Sequence, residues 1–272
     1  MNRFLFHTAI AAFVTVCAVA VPTHQAAADS PLSSSVTTRA WVGVVLGDAD
    51  SQPGVEVDTV LRRSPAYAAG IEDGNRILSV NGRQVRTPGK LESILHRQPA
   101  GRTISMSIER DGDTEEVELS LMPSPDAGEV LRLHHRGYDV PSVRLQDLDG
   151  QPVDLSDIGD RPVVLEFWAT WCSVCRQVSR KLEAAVDEHP GAFDVLSITS
   201  EDASTVTEHL ETQPKAHDIA IDPDERAHEE FLVNSYPFVA VINPDGTIED
   251  VTTNVGAVDD LIHKLIKDRQ DE

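Results

Sequence analysis

Apolar and polar positions along this chain follow two different periods, and the change from one to the other marks a boundary. Val55-Glu56-Val57-Asp58-Thr59-Val60 alternates, Ile77-Leu78-Ser79-Val80 runs into Asn81-Gly82, and Ile104, Met106 and Ile108 pair with Val117, Leu119 and Leu121 across Asp111-Gly112. A period of two closed by Asn-Gly or Asp-Gly predicts short antiparallel strands joined by tight hairpins. Two helices interrupt them. Ser64 is the expected cap of the first, with Pro65 at its opening position and Gly70 past its end, and Thr87-Pro88 opens the second, whose Leu91, Ile94 and Leu95 form one apolar stripe. A small, mostly-β unit is therefore expected over residues 36–123.

From about Asp139 the pattern changes to strands alternating with longer helices. Val163–Phe167, Val195–Thr199 and Phe238–Ile242 are apolar, β-branched runs fit for core strands. Asn243-Pro244-Asp245-Gly246 turns the last of these into Thr247–Val251, and Val258, Leu261, Ile262, Leu265 and Ile266 recur at helical spacing to the end. Residues 139–272 thus read as an α/β domain, a mixed central sheet with flanking helices. Between the two units, 124–138 carries Pro125, Gly128 and Gly137 with little periodicity and reads as a linker or a short docking segment. His134 and His135 fall inside it. Sequence neighbours point apart and no third ligand is near, so a solvated linker is expected there, without metal.

Asn2-Arg3 precedes a nearly unbroken apolar run from Phe4 to Val21, then Pro22 and Ala26-Ala27-Ala28. This is the pattern of a secretory signal peptide, residues 1–28, cut before Asp29, so that Cys17 leaves with it. Retained, the run would be marginal as a membrane anchor, and only in that case would the chain meet a membrane. The formal net charge of −22 excludes nucleic acid and anionic membrane surfaces as partners, because such a surface repels phosphates. The acidity is uneven. Residues 29–123 hold 10 Lys/Arg against 14 Asp/Glu, whereas 139–272 hold 10 against 29, so the excess sits on the second domain as a solvating surface.

Export leaves two cysteines, Cys172 and Cys175, in Phe167-Trp168-Ala169-Thr170-Trp171-Cys172-Ser173-Val174-Cys175. The run follows a core strand, and Val174, Val178, Leu182, Ala185 and Val186 continue it at helical spacing, so the CxxC is expected to open a helix. Unpaired N–H groups and the positive dipole end at a helix start favour a thiolate, which makes Cys172 the expected attacking sulfur. Cys175, one turn on, could then resolve a mixed disulfide. Zinc would need a second CxxC or a His pair at ligand spacing, and haem attachment would need His where Arg176 stands. A purely structural disulfide is the stronger alternative, opposed by the strand–WCxxC–helix order. No cofactor beyond the cysteine pair is expected.

These residues resemble a family. Leu148-Asp149-Gly150-Gln151-Pro152-Val153-Asp154-Leu155-Ser156, the Phe167–Cys172 run, Tyr236-Pro237 and Val241-Ile242-Asn243-Pro244-Asp245-Gly246 resemble the thioredoxin fold in its extracytoplasmic thiol-disulfide form, related to TlpA and ResA. The resemblance implies a cis proline at Pro237 facing the CxxC, with Trp171, Tyr236 and Pro237 as substrate-binding residues. It also implies a buried acid at Glu166. Buried on a strand, that carboxyl is expected to have a raised pKa and to take the proton of Cys175 during release. Three departures stand out: Val178 and Arg180 replace a Glu and Pro common in the family, Ser173-Val174 replaces the frequent Pro-Pro, and Glu166 matches cytoplasmic thioredoxins.

Residues 36–123 resemble a bacterial PDZ domain. Trp41-Val42-Gly43-Val44 matches its carboxylate-binding loop and Ser64-Pro65-Ala66-Tyr67-Ala68-Ala69-Gly70-Ile71-Glu72-Asp73-Gly74-Asn75 its signature, with Asn75 in place of the usual Asp. The resemblance implies capture of a peptide or protein C-terminus by strand addition, with Leu91, Ile94 and Leu95 shaping a side-chain pocket or simply filling the core. The combined expectation is a secreted or periplasmic thiol-disulfide oxidoreductase acting on protein thiols and disulfides, recharged by an upstream redox partner, with the PDZ unit recruiting or orienting a protein. An alternative is a peptide-binding adaptor whose second domain only docks. The direction of exchange is set by tens of millivolts, which sequence does not encode.

Overall fold

The computed structural model describes residues 39–156 and 159–270. The expected signal peptide lies outside them. Among the described residues no helix is long and apolar enough to cross a membrane.

The first unit contains β1 (Ala40–Trp41), β2 (Val44–Leu46), β3 (Val55–Val60), α1 (Pro65–Ala68), β4 (Arg76–Val80), β5 (Arg83–Gln84), α2 (Pro88–Leu95), β6 (Thr103–Arg110), β7 (Asp113–Ser120) and β8 (Met122–Pro123). An antiparallel sheet runs in the order β2-β3-β4-β6-β7, with β5 hanging from β4 and β1 pairing β8. Asn81 and Gly82, and again Asp111 and Gly112, all have positive φ, the handedness that two-residue hairpins need. The β6–β7 register differs from the expectation at one end. Ile104 faces Leu119 and Met106 faces Val117, but Ile108 faces Glu115, and Leu121 lies past the strand, donating its N–H to Arg102 O at 2.9 Å. Both helix caps form as the sequence predicts: Tyr67 N–H donates to Ser64 Oγ and Lys90 N–H to Thr87 Oγ1. Leu91, Ile94 and Leu95 are all buried against Val57, Ile77 and Met106.

Of the two readings of residues 124–138, the structure overturns the solvated linker and favours the docking segment, because they contain a packed helix, α3 (Ala127–His135). Asp126 Oδ1 caps it by accepting from Glu129 N–H, and Leu131, His134 and His135 form its buried face. Leu131 joins the core of the second domain. His135 Nε2 lies 3.0 Å from Phe231 O and its ring stacks on Phe231, while His134 Nδ1 accepts from Arg62 N–H of the first domain at 3.2 Å. The two histidines are held neutral: burial and the Arg62 charge push His134 down to about 4, and burial and the adjacent His134 push His135 down to about 3. Arg62 and Arg63 both stack over the Tyr138 ring. The junction is packed.

The second domain contains β9 (Arg144–Gln146), β10 (Pro152–Asp154), β11 (Val163–Phe167), α4 (Cys175–Glu188), β12 (Asp194–Thr199), α5 (Ala203–Thr212), β13 (Asp218–Ile221), α6 (Arg226–Glu230), β14 (Phe238–Ile242), β15 (Ile248–Thr252) and α7 (Val258–Gln270). Its sheet runs β10-β9-β13-β12-β11-β14-β15, parallel across β11, β12 and β13 and antiparallel elsewhere. Side chains alternate across the central strand. Val164 packs with α4 and α7 on one face, through Val178, Leu182, Val258 and Ile262, and Leu165 and Phe167 pack with Leu131, Phe231 and Phe238 on the other. That alternation turns Glu166 toward α4, completely buried.

Candidate active site

The disulfide stands where β11 hands over to α4. Trp168 N–H still donates to Ile198 O, and the chain then turns so that Cys172 N–H donates to Ala169 O at 3.0 Å. The helix opens at Cys175, not at Cys172. Val174 at its N-cap offers no side-chain oxygen, and Cys172 Sγ fills that place by accepting the Cys175 N–H at 3.1 Å. The first sulfur is thus hydrogen-bonded to the helix start without being part of the helix. Cys172 and Cys175 are joined as a disulfide with Cα atoms 5.3 Å apart, and Cys172 is 6% exposed against 1% for Cys175.

The surface above the sulfurs is apolar. Trp171 is 72% exposed and Val174 41%, and the Trp171 ring meets Tyr236 edge-on at 5.7 Å. Tyr236 packs against the cluster that contains both cysteines, and the Tyr236–Pro237 peptide is cis. The residues proposed to meet substrate are therefore brought together.

Sequence reasoning missed the acid that fixes this turn. Glu201, just past β12, accepts the Thr170 N–H at 2.6 Å and the Thr170 hydroxyl at 2.7 Å, clamping the residue two before Cys172. Only its place at the carboxyl end of a core strand, beside the CxxC turn, could have signalled it.

Glu166 is buried as expected, and its surroundings reverse the expected pKa. Ser179 Oγ lies 2.8 Å from Oε1, and Ser197 Oγ and Lys215 Nζ each lie 2.7 Å from Oε2, with His217 Nε2 at 2.7 Å from Ser197 Oγ. Burial pushes the carboxyl up, but His217, Lys215 and Ser197 outweigh it and hold it well below the usual carboxylate range. The sequence expectation counted the burial and not the partners. Burial in turn lowers the Lys215 ammonium, against the pull of Glu166. The network reaches Cys175 through its backbone, for Ser179 Oγ is also 3.1 Å from Cys175 O. That hydroxyl has one proton, so it serves Glu166 or the carbonyl, one at a time.

In the first domain, the Trp41–Val44 loop is tied down by its carbonyls. Ala66 N–H donates to Val42 O and Leu61 N–H to Gly43 O, each at 2.9 Å, and Ser64 Oγ donates to Gly43 O. Gly43 has φ +81°, and a Cβ there would stand 2.1 Å from Ser64 Cβ, so glycine is required twice over. A groove of about 330 Å³ follows the loop, lined by Trp41, Val42, Gly43, Val44, Leu91 and Leu95 among others. Ile94, buried to 2%, belongs to the core beneath. Among the described residues β2 is the sheet's edge, paired with β3 alone.

Two family models match the chain, one on each side of α3: a PDZ domain over residues 40–121 and the AhpC/TSA family over residues 137–251. The thioredoxin-like protein YneN of Bacillus subtilis is 26% identical over 132 residues, 47% of this chain and 78% of YneN. The thiol-disulfide oxidoreductase ResA of the same organism is 26% identical over 129 residues, 47% of this chain and 72% of ResA. A probable periplasmic serine endoprotease, DegP-like, of a Marinomonas species is 28% identical over 113 residues, 38% of this chain. The chain spans only 24% of that relative's length. Together with the fold, these matches give the chain a PDZ domain joined to a thioredoxin-fold domain that is similar to ResA and YneN.

Proposed function

We propose that the chain is an exported thiol-disulfide oxidoreductase that exchanges disulfides with protein substrates through Cys172, while its PDZ groove recruits a partner by its C-terminus. The observation that carries this reading is the Cys172–Cys175 disulfide at the mouth of α4, under an exposed Trp171 and beside Tyr236 and Pro237. In the oxidised form a substrate thiolate attacks Sγ of Cys172, the more exposed of the two residues, and Cys175 leaves as the thiolate. A second substrate thiolate then attacks the substrate sulfur of the mixed disulfide, releasing Cys172 and a substrate disulfide. Run backward, the same steps reduce a substrate, with Cys175 as resolver.

In this reading Glu166 is a positioning residue. Ionised and saturated with hydrogen bonds, it is a weak base, and it holds Ser179 on α4 and Lys215 against the sheet. Trp171, Tyr236 and Pro237 receive the substrate strand. Export is supported by the Phe4–Val21 run and the Ala26–Ala28 site. Recruitment is supported by the edge position of β2 among the described residues and the glycine-dependent loop beside it.

Trapping tests the reading. Cys175→Ser should accumulate mixed disulfides with native substrates, because the attacker survives and the resolver does not, and Cys172→Ser should trap none. Capture by the Cys172 variant alone would reverse the roles, and capture by neither would favour an adaptor whose disulfide stays closed.

A further inference from the structure

On the flank of α4 that faces α5, a second cavity of about 230 Å³ opens between the two helices. Arg176 and Arg180 from α4, His209 from α5 and Lys215 line it, with Trp168 and one acid, Glu183. Three of the ten Lys/Arg of residues 139–272 thus meet at one small pocket in a region that carries 29 Asp/Glu. Like charges one helical turn apart destabilise a helix unless something neutralises them. Yet neither arginine has a carboxylate partner among the described residues: Arg176 Nη1 donates to the Gln213 amide oxygen and Arg180 Nε to the Arg176 carbonyl. Glu183 is turned to other work, accepting the Ala216 N–H.

Trp168 forms part of the cavity wall. Its side chain is 2% exposed and its ring lies between Lys215, 4.2 Å above its centroid, and His209, 5.6 Å away. The indole Nε1 is buried with no hydrogen-bond partner among the described residues. Two guanidinium forks one turn apart match two carboxylates, and the volume falls below that of ordinary drug-sized sites.

We propose that this cavity between α4 and α5 is a binding site for a small dicarboxylate, held by Arg176 and Arg180 beside the Trp168 ring. It is independent of the exchange reading, and its test involves no thiol chemistry. Its place matters all the same, since Arg176 follows Cys175 directly and Lys215 is the partner of Glu166.

The test is a titration of the isotopically labelled chain from Asp29 onward with succinate at constant ionic strength, following the three indole N–H resonances by NMR. The Trp168 resonance should shift saturably while those of Trp41 and Trp171 stay in place, and the exposed double variant Arg176→Gln/Arg180→Gln should weaken succinate binding at least tenfold with the rest of its spectrum unchanged. No saturable shift, or equal affinity in the double variant, would overturn the site. Equal saturation by sulfate would reduce it to general anion binding. Binding of an aspartate-containing peptide without binding of succinate would overturn the small-molecule occupant in favour of a polypeptide.

Discussion

In the recruiting role proposed for the PDZ groove, recognition would rest on backbone: an edge strand, a loop anchored by its carbonyls, and one glycine at positive φ, with Leu91 and Leu95 as apolar lining. At the disulfide the emphasis is reversed. Two sulfur atoms carry the chemistry, and the backbone, clamped at Thr170 by Glu201, serves to present them. A backbone site should tolerate most changes of side chain but no change of φ. A side-chain site should tolerate changes all around it but none at two atoms.

The sharpest break of this contrast is Cys172→Ser, which should abolish exchange with a small-molecule disulfide while binding of a C-terminal peptide to the groove stays within about twofold. Loss of both would mean that the two sites are one cooperative device. Next in size, Gly43→Ala should destabilise the first domain by on the order of 2–4 kcal/mol, from the strained φ and the collision with Ser64, and should abolish peptide binding. Small-molecule exchange should survive it, and denaturant unfolding with a parallel thiol assay measures both.

Glu166→Gln comes third, because it leaves the Lys215 charge buried without its partner and should cost roughly 3 kcal/mol at neutral pH. The folded-state pKa of Glu166 is depressed, so its stabilising effect is complete above the ordinary carboxylate range and is lost as pH falls through the folded value. The gap between parent and variant should therefore narrow in acid, below about pH 4.5. A gap that widens on acidification would restore the raised-pKa picture. Smallest is amidation of the peptide ligand: removing the terminal charge should weaken binding about tenfold, or about 1.4 kcal/mol, by titration calorimetry. Equal binding of amide and acid would leave the groove without a carboxylate site.

The groove and the disulfide were legible in sequence because each is encoded locally. Asn81-Gly82 and Asp111-Gly112 fix hairpins through residues that accept positive φ, Ser64-Pro65 and Thr87-Pro88 place helices, and the CxxC follows a strand whose apolar run is unmistakable. The network around Glu166 was not, since Ser179, Ser197 and Lys215 come from a helix, a strand and a loop separated by many residues, and Lys215 sits in no periodic pattern. Without those partners burial alone decided the pKa, and it gave the wrong direction. The helix at residues 127–135 was missed for another reason. Its signals were present in Asp126, Glu129 and Gly137, but its buried face is Leu131, His134 and His135, and histidines do not register as an apolar stripe.

If the groove recruits as proposed, that helix has a consequence for substrate choice. A flexible tether lets a recruited partner search every distance up to the tether's reach. Here Leu131 is sunk in one domain's core, His134 is bonded to the other's backbone, and Arg62 and Arg63 stack on Tyr138, so the groove is mounted and not tethered. A protein held by its last residues would meet the sulfurs only with a cysteine at the matching span from its own C-terminus. The chain would then act as a ruler, reading where along a partner a thiol lies before its chemistry begins.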